Sequence, residues 1–393
     1  MNTQPPLIDE PRTLDLLRRL VRTPSINPAL CRADPRGLWA GEAEVAKLVA
    51  DELAAAGCEV DWREPLPGRV SVVGRLRGRG DGRSLMLNGH LDTVDVDGMA
   101  EPFSGRLGGG RVFGRGAYDM KGGVAAVLAA VRTLAGRPEP LAGDVFVAAV
   151  ADEETESLGM RDVLTTYRPD GAVVTEPTGL ALCVAHKGFV WLEVTALGRA
   201  AHGSRPDLGV DANVRLGEVL AGVGRLAVEL GQRPPHPLLG PPSIHAGRVW
   251  GGSGESTYAE SATAVLERRT LPGEDASVAE AEVRAVLGED AGRDDLDVRV
   301  LLERPAFEAA ADSRLVGVVK DVLERGGREA GVVGEGPWMD AAFLAAAGVD
   351  TVVIGPAGSG AHAAEEWVDA DSVVALAGVL AEAAENYCGR SAD

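Results

Sequence analysis

Four short apolar runs of the chain each lead into an acidic residue or a histidine. In chain order they lead into His90, into the acidic segment 152–154, into Glu176 and into the glycine loop before His362. Apolar runs that are bounded by turn residues and alternate with helical patterns are typical of buried strands, so they predict an α/β sheet. Ligands of such sheets bind at the carboxyl ends of the strands. The sequence therefore predicts a functional site where these runs end.

Many carboxylates and imidazoles would meet at that edge of the sheet. Asp119 joins them, because this glycine-flanked aspartate opens the apolar helical pattern 124–134. A lone histidine at a strand end is ordinarily a core residue with satisfied hydrogen bonds, but acids at the equivalent strand ends favour a ligand. So many anions are costly to bring together unless cations neutralise them, which predicts a metal site with two ions. The candidate residues are His90, Asp92, Asp119, Glu153, Glu154, Glu176 and His362.

Two pairs of close neighbours within this set suggest a division of roles. His90 and Asp92 are two residues apart at a strand end, so their side chains leave on the same side. One can bind a metal while the other hydrogen-bonds that ligand or a neighbouring one. Glu153 and Glu154 are adjacent and cannot both point at one ion without strain, which suggests one ligand and one general base. An acidic loop that caps the next helix would explain Glu156 better than it explains this pair.

Composition excludes several classes of function. The formal net charge is −20, which argues against binding to nucleic acid or to anionic membranes. The apolar stretches are interrupted well before membrane-spanning length. Asp9, Glu10 and Asp15 stand where a signal peptide would be basic and then apolar, so we expect a cytoplasmic protein. The cysteines have no metal-type spacing, which predicts free and mostly buried thiols.

The order of the predicted elements indicates two domains, as expected for 393 residues. A β-α-β-β-α-β pattern interrupts the α/β pattern and predicts an inserted α+β domain at 187–302, with a four-stranded open sheet and two helices. Residues 1–186 and 303–393 would form one metal-binding catalytic domain. Its fold class would be α/β, with a mixed sheet and helices on both faces.

At this level of detail the sequence resembles a known family. It is similar to the co-catalytic zinc amidohydrolases and peptidases that include acetylornithine deacetylase, succinyl-diaminopimelate desuccinylase, aminoacylase and glutamate carboxypeptidase. The matching segments follow the family's order along nearly the whole chain. They are Pro24-Ser25, G-H-L-D-T-V-D (89–95), G-R-G-A-Y-D-M-K-G-G (114–123), D-E-E (152–154), T-E-P-T (175–178), G-R-A-A-H-G-S-R-P (198–206), E-R-R-T-L-P-G (267–273) and G-S-G-A-H-A-A-E-E (358–366).

The resemblance implies a role for each candidate at the sheet edge. Glu153 would be the general base, Asp92 would orient His90, and the peptide bond after Asp119 would be cis. A nitrogen and oxygen ligand set without thiolate suits two Zn²⁺ ions per subunit, with Co²⁺ or Mn²⁺ as substitutes. The ligands of one ion would be His90, Asp119 and Glu176, and those of the other would be Asp119, Glu154 and His362, with Asp119 bridging.

The resemblance also implies roles for two residues of the inserted domain. His202 would reach the site of the partner subunit in a homodimer formed through this domain, and there it would polarise the scissile carbonyl. Arg269 would bind a substrate carboxylate with its guanidinium fork. The alternative for His202 is a surface histidine in a loop, and the alternative for Arg269 is an inter-domain salt bridge.

The function that the resemblance implies is hydrolysis of a small substrate. A water activated by Glu153 would cleave the amide bond of an N-acyl amino acid, giving a carboxylate and a free amino acid. A dipeptidase or carboxypeptidase with the same site is an alternative. A metal-binding protein that has lost catalysis is another, although the retained Glu153 beside Glu154 argues against it, because a structural site has no use for a spare base.

Overall fold

A computed structural model describes residues 7–32, 39–287 and 295–389. The chain divides into two compact units, the first of Met1–Val184, Ala309–Val333 and Met339–Asp393, and the second of Ala185–Glu308 and Gly334–Trp338. The second unit extends a little beyond the predicted insertion at both ends and adds Gly334–Trp338. The catalytic role of the first predicted domain and the dimerisation role of the inserted domain remain predictions.

The helices and strands of the described residues follow the predicted alternation. The helices are α1 (Glu10–Arg22), α2 (Ala43–Ala55), α3 (Gly122–Ala135), α4 (Leu158–Val163), α5 (Ala212–Gln232), α6 (Ala276–Leu287), α7 (Arg314–Arg325), α8 (Ala341–Ala346) and α9 (Ala370–Cys388). The strands are β1 (Glu59–Leu66), β2 (Arg69–Leu76), β3 (Leu85–His90), β4 (Arg106–Gly108), β5 (Arg111–Phe113), β6 (Val145–Val150), β7 (Gly171–Val174), β8 (Leu182–His186), β9 (Gly188–Leu197), β10 (Ser243–Gly251), β11 (Ser261–Thr270), β12 (Leu296–Arg304), β13 (Phe307–Glu308), β14 (Val332–Glu335), β15 (Asp350–Val353), β16 (Gly358–Ser359) and β17 (Trp367–Asp369).

The first unit is built on a large mixed sheet. Its strands lie in the order β1-β2-β6-β3-β7-β15-β8. The neighbours β6, β3, β7 and β15 run parallel, with His90 opposite Val150 and Val174 opposite both Asn88 and Val353. The apolar runs of the sequence therefore end at one edge of the sheet, as predicted.

Apolar helices cover this sheet and bring the start of α3 close to the site. Helix α3 is rich in alanine and valine and is buried along nearly its whole length. Its Gly123 packs directly on the chain after β7, since a Cβ atom there would lie 2.3 Å from the Thr175 carbonyl oxygen. Any larger residue would push α3 away from the segment that leads into Glu176.

A small antiparallel sheet in the first unit was not foreseen from the sequence. Its strands lie in the order β16-β17-β5-β4. Trp367 of β17 is opposite Phe113 of β5. This pairing joins the segment that follows His362 to the segment that precedes Asp119.

The second unit has its own sheet and its own core. Strands β10, β11, β9 and β12 form an antiparallel sheet in that order. The core lies between this sheet and helices α5 and α6, and includes Leu192, Val223, Leu266 and Val283. Asp211 caps the start of helix α5, because its side chain accepts hydrogen bonds from the amides of the first turn. The predicted fold class, with its mixed sheet and separate four-stranded sheet, is confirmed.

Two further predictions concern the surface and the cysteines. Across the part of the chain that the structure describes, no helix combines the length and apolar character needed to cross a membrane. Cys31, Cys58, Cys183 and Cys388 are free thiols, and all except Cys31 are buried. The prediction of free, mostly buried cysteines is confirmed.

Candidate metal centre

The first group of candidate ligands forms around His90, the last residue of β3. The ring is buried, and its Nδ1 lies 2.8 Å from the backbone carbonyl oxygen of Asp92. Its Nε2 lies 3.0 Å from Asp119 Oδ1 and 3.5 Å from Glu176 Oε1. The carbonyl contact fixes the ring so that Nε2 points at the two carboxylates.

The second group forms around His362, on the other side of Asp119. His362 Nε2 lies 3.3 Å from Asp119 Oδ2 and 3.1 Å from Glu154 Oε2. The His362 backbone is left-handed, with φ of 60°, a conformation that a non-glycine residue adopts only under local constraint. The two oxygens of Asp119 therefore face one group each, which is the arrangement a bridging carboxylate requires.

The donors of these groups fit divalent metal ions. Each group offers one imidazole nitrogen and two carboxylates, and its ligand atoms lie within 4.8 Å of one another. Imidazole and carboxylate donors without thiolate suit Zn²⁺, Co²⁺ or Mn²⁺. Because the carboxylates are held close together in a largely buried place, a cation between them removes an unfavourable concentration of negative charge.

The close approach of these charged groups shifts their pKa values. Burial lowers the pKa of His90, but the neighbouring carboxylates, Glu176 first among them, outweigh burial and raise it well above its usual value. Hydrogen bonds to Asp119 and Glu154 raise the pKa of His362 to about 10. Burial alone would raise the pKa of Asp119, but its hydrogen bonds with His362 and His90 outweigh burial and lower it.

Glu153 lies beside both groups without belonging to either. Burial, and next the nearby Glu176 carboxylate, raise the pKa of Glu153 well above its usual value. A carboxyl group whose pKa is raised toward neutrality is a stronger proton acceptor at physiological pH. Glu154, its neighbour, points at His362 instead. The Glu154 carboxylate thus belongs to the second group, and the division of the two glutamates into ligand and base stays a prediction.

Asp92 holds this acidic turn in a way that the sequence did not reveal. Its carboxylate accepts hydrogen bonds from the backbone amides of Glu153 at 3.1 Å and Glu154 at 3.2 Å. The same carboxylate is 3.7 Å from His90 Nδ1, so the backbone carbonyl of Asp92 makes the shorter contact with the ring. The resemblance implies that Asp92 orients His90; in the structure its carboxylate also positions the glutamate turn.

Asn27 is a contact residue that sequence reasoning missed. It is fully buried, and its Nδ2 donates to Asp92 Oδ2 at 2.8 Å and to Asp152 Oδ1 at 2.9 Å. Arg69 Nη2 reaches the same Asp152 oxygen at 2.6 Å. The one sequence signal that could have found Asn27 is its position, three residues after Pro24 and close to the matching segment Pro24-Ser25.

The chain around Asp119 contains a confirmed prediction and a second missed residue. The peptide bond between Asp119 and Met120 is cis, as the resemblance implies. Glu366 is buried and accepts hydrogen bonds from the backbone amides of Tyr118 and Asp119. The sequence shows Glu365 and Glu366 side by side after His362 and gives no sign that the second one turns inward.

The two remaining candidates, His202 and Arg269, belong to the second unit. His202 is exposed, and its Nδ1 lies 2.8 Å from Ser204 Oγ. Arg269 donates to Glu267 Oε1 at 2.7 Å and stacks over the Phe189 ring at 5.1 Å. The structure brings together the predicted ligands and Glu153 within the first unit and places His202 and Arg269 in the other unit, so the roles of these two residues remain predictions.

Known proteins resemble this chain in sequence along most of its length. The family model described as Peptidase family M20/M25/M40 matches residues 86–386. An acetylornithine deacetylase from Proteus mirabilis is 28% identical over 392 residues, which cover 96% of this chain and 97% of the relative.

Solved structures share the fold. The aminopeptidase PepT from Bacillus cereus superposes with a TM-score of 0.78 at 20% identity, covering 97% of this chain and 99% of that one. The YXEP protein of Bacillus subtilis, described as a dinuclear metal binding peptidase from the M20 family, superposes with a TM-score of 0.74 at 15% identity, covering 96% and 98%.

Proposed function

Since the chain belongs to peptidase family M20/M25/M40 and is a hydrolase, we propose that it uses two metal ions to cleave the amide bond of an N-acyl amino acid. The observation that carries this proposal is the pair of three-residue donor groups that share Asp119, with Glu153 beside them. The relative from Proteus mirabilis bears the name acetylornithine deacetylase, which supports an acylated amino acid as the substrate class.

The residues of the first unit suit each part of this reaction. His90, Asp119 and Glu176 would hold one ion, and Asp119, Glu154 and His362 the other. Two bound divalent ions supply Lewis acidity toward a water molecule and toward the substrate carbonyl. Zn²⁺ is the proposed native ion, because both groups combine imidazole with carboxylate donors.

Glu153 carries the proton transfers. It accepts a proton from the attacking water as the new carbon–oxygen bond forms, and it donates that proton to the amine nitrogen as the carbon–nitrogen bond breaks. The second proton of the water leaves as the new carboxyl group ionises and ends on the amine, so the products are a carboxylate and an amino acid with an ammonium group, and atoms and charges balance. The raised pKa of Glu153 supports this cycle, because the group must hold and then release a proton near neutral pH.

His202 and Arg269 complete the proposal from the second unit. His202 would donate a hydrogen bond to the oxyanion that develops from the substrate carbonyl. Arg269 would bind the α-carboxylate of the substrate through its guanidinium fork. Both side chains have solvent-accessible surface, which such contacts with substrate require.

A homodimer through the second unit is the proposed assembly. Strand β10 is at the edge of its sheet and exposes Val249 and Trp250, and α5 exposes Val214 and Val228. Exposed apolar side chains beside an open strand edge favour an isologous contact. Light scattering should give the mass of a dimer, and Trp250→Glu with Val228→Glu should shift the protein toward monomer. A monomeric wild-type protein would contradict this part of the proposal.

The proposed location is the cytoplasm, where the four free cysteines match a reducing environment.

A substrate panel tests the proposed activity. The Zn²⁺-loaded protein would be offered N-acetyl and N-succinyl amino acids, including the acetyl and succinyl derivatives of diamino acids, together with dipeptides that have free amino termini. Release of free amine from the acylated amino acids is the expected result. Preference for the dipeptides would instead support the dipeptidase or carboxypeptidase function, and no release from any amide by protein that holds two ions would support a metal-binding protein without catalysis.

A further inference from the structure

A buried ion pair, Arg115 with Glu366, joins the loops that carry the two groups of candidate ligands. Arg115 Nη1 donates to Glu366 Oε2 at 2.7 Å, and the two side chains are only 3% and 1% exposed. A buried pair of this kind needs further hydrogen bonds to offset the cost of removing both charges from water. Both partners have such bonds, and each of them reaches a loop that carries a metal-ligand candidate.

Glu366 binds the backbone that leads to Asp119. Its Oε2 also accepts from the Gly116 amide at 3.0 Å, and its Oε1 accepts from the Tyr118 amide at 2.9 Å and the Asp119 amide at 3.0 Å. With Arg115, the carboxylate has four donors, which is about the number of lone-pair positions that it offers. A glutamine cannot replace it without turning an NH₂ group toward donors.

Arg115 binds the other two loops. Its Nε donates to the carbonyl oxygen of Asp95 at 3.0 Å, in the segment that follows β3 and His90. Its Nη2 donates to the carbonyl oxygen of Ala363 at 3.0 Å, next to His362. The planar guanidinium can direct its donors to three segments at once, which a lysine ammonium at the end of a flexible chain cannot reproduce.

The pairing of strands in the small antiparallel sheet positions Glu366 beside the segment of Arg115. The Gly114 amide donates to the Glu366 carbonyl oxygen at 3.1 Å, and this bond extends the pairing of Trp367 with Phe113. The side chain of Glu366 therefore reaches the turn 116–119 because of the register between β17 and β5. Two distant parts of the chain are locked together at the point where Asp119 leaves the backbone.

We infer that Arg115 and Glu366 are positioning residues, which set the location of Asp119 relative to His90 and His362 and thereby hold the two donor groups in register. The inference rests on the two-ion site of the proposed function. Because Asp119 is the carboxylate that both groups share, loosening its backbone lowers the affinity for both ions together. A pair that served the fold alone would affect the free energy of unfolding and leave metal affinity unchanged.

The test compares Glu366→Gln with Asp144→Asn in metal-loaded protein. Asp144 is a matched control, since it also accepts from an arginine, Arg75, and from a loop amide, that of Gly78. It precedes β6, whereas the glutamate turn follows this strand. Titration with a chelator of known affinity gives the dissociation constants of the Zn²⁺ ions, and the absorption of Co²⁺-loaded protein reports the geometry around each ion.

Glu366→Gln should lower the affinity for both ions by about 10–100-fold, the usual effect of losing a group that orients metal ligands. It should also change the absorption spectrum of the Co²⁺-loaded protein. Asp144→Asn should leave both constants unchanged. Wild-type constants and spectrum in Glu366→Gln would overturn the inference while the two-ion function stood. A wild-type protein that holds fewer than two ions would overturn both.

Two milder variants keep the test decisive if Glu366→Gln does not fold. Glu366→Asp keeps the charge but is one methylene shorter, so it cannot reach all four donors. Arg115→Lys keeps the other charge but cannot reach Asp95, Ala363 and Glu366 together. Each variant should lower the affinity for the ions by several-fold, which is less than the loss expected for Glu366→Gln. Wild-type affinity in both variants would overturn the inference.

Discussion

At the edge of the large sheet, the candidate ligands meet from segments that are far apart in the chain, whereas His202 in the second unit contacts a near neighbour. The Asp119 carboxylate lies 3.0 Å from His90 Nε2 and 3.3 Å from His362 Nε2, and these two histidines are far apart in the sequence. His202 is exposed and contacts Ser204, two residues away. Contacts between distant segments fix the first arrangement, whereas the contact between His202 and Ser204 lies within one loop and leaves the imidazole exposed.

The largest expected effect tests the fixed side of this comparison. Glu153→Ala should reduce turnover by about 10²–10⁴-fold, the usual contribution of a general base, because the proton of the attacking water then has no acceptor. Metal content, measured by atomic emission, should remain near that of the wild type. Glu154→Ala is the control, and it should lose metal because its carboxylate faces His362. Metal loss in Glu153→Ala with a small change in rate would mean that the two glutamates have exchanged roles.

The next largest expected effect concerns the exposed His202. His202→Ala should lower kcat by about 10²–10³-fold, as removal of an oxyanion donor does, with little effect on metal binding. If His202 of the partner subunit serves the site, mixing inactive His202→Ala with inactive Glu153→Ala should restore activity, because one site of each heterodimer has both groups. Subunit exchange, followed by mass spectrometry, is the control. Exchange without recovered activity would place the work of His202 within its own subunit or remove it from the reaction.

A third prediction uses the pKa shifts of the ligand groups. The raised pKa values of His90 and His362 mean that these rings carry protons at neutral pH when no ion is bound. Ligands must be deprotonated to bind a metal, so binding releases protons. The affinity for the metal should therefore fall by about tenfold for each unit by which the pH is lowered and for each proton released. Calorimetry of Zn²⁺ binding in two buffers with different ionisation enthalpies measures the number of protons released. Heats that do not depend on the buffer would contradict the prediction.

The smallest expected effect concerns the support beneath the glutamate turn. Asn27→Ala removes donors from the buried carboxylates of Asp92 and Asp152, and should lower the free energy of unfolding by about 1–3 kcal/mol. Asn386→Ala is the control, since Asn386 donates to a helix carbonyl near the surface. Urea denaturation compares the two. Equal losses would mean that the buried network under the turn is no more important than an ordinary helix contact.

The sheet edge that carries the candidate ligands could be predicted from one local pattern and one general rule. Apolar runs identified the strands, and the rule that parallel strands end at one edge brought His90, Glu154 and Glu176 together. The separate four-stranded sheet could also be predicted, because the order of its strands and helices follows a common α+β pattern. The assignment of individual roles came from the resemblance to a known family, since adjacent acids such as Glu153 and Glu154 cannot be told apart by pattern alone.

Other features escaped because they depend on contacts between short or distant segments. Strands β5 and β17 have three residues each, too few to show a period, and they pair across most of the chain. The inward turn of Glu366, next to the exposed Glu365, follows from that pairing. The Asp92 carboxylate bonds the glutamate turn because of loop geometry, which a spacing of two residues does not encode. Segment 334–338 joins the second unit although no pattern marks it.

The pairing of β17 with β5 also bears on how the protein is made. A chain emerging from the ribosome folds from its N-terminus, and it contains His90, Asp119 and Glu176 long before His362 and Glu366 are synthesised. Until then, the Asp119 amide lacks the carboxylate that binds it in the finished protein. The complete pair of donor groups therefore exists only after translation of the last strands, and a truncated product that stops before β16 retains one donor group without Glu366, the residue that holds its shared aspartate.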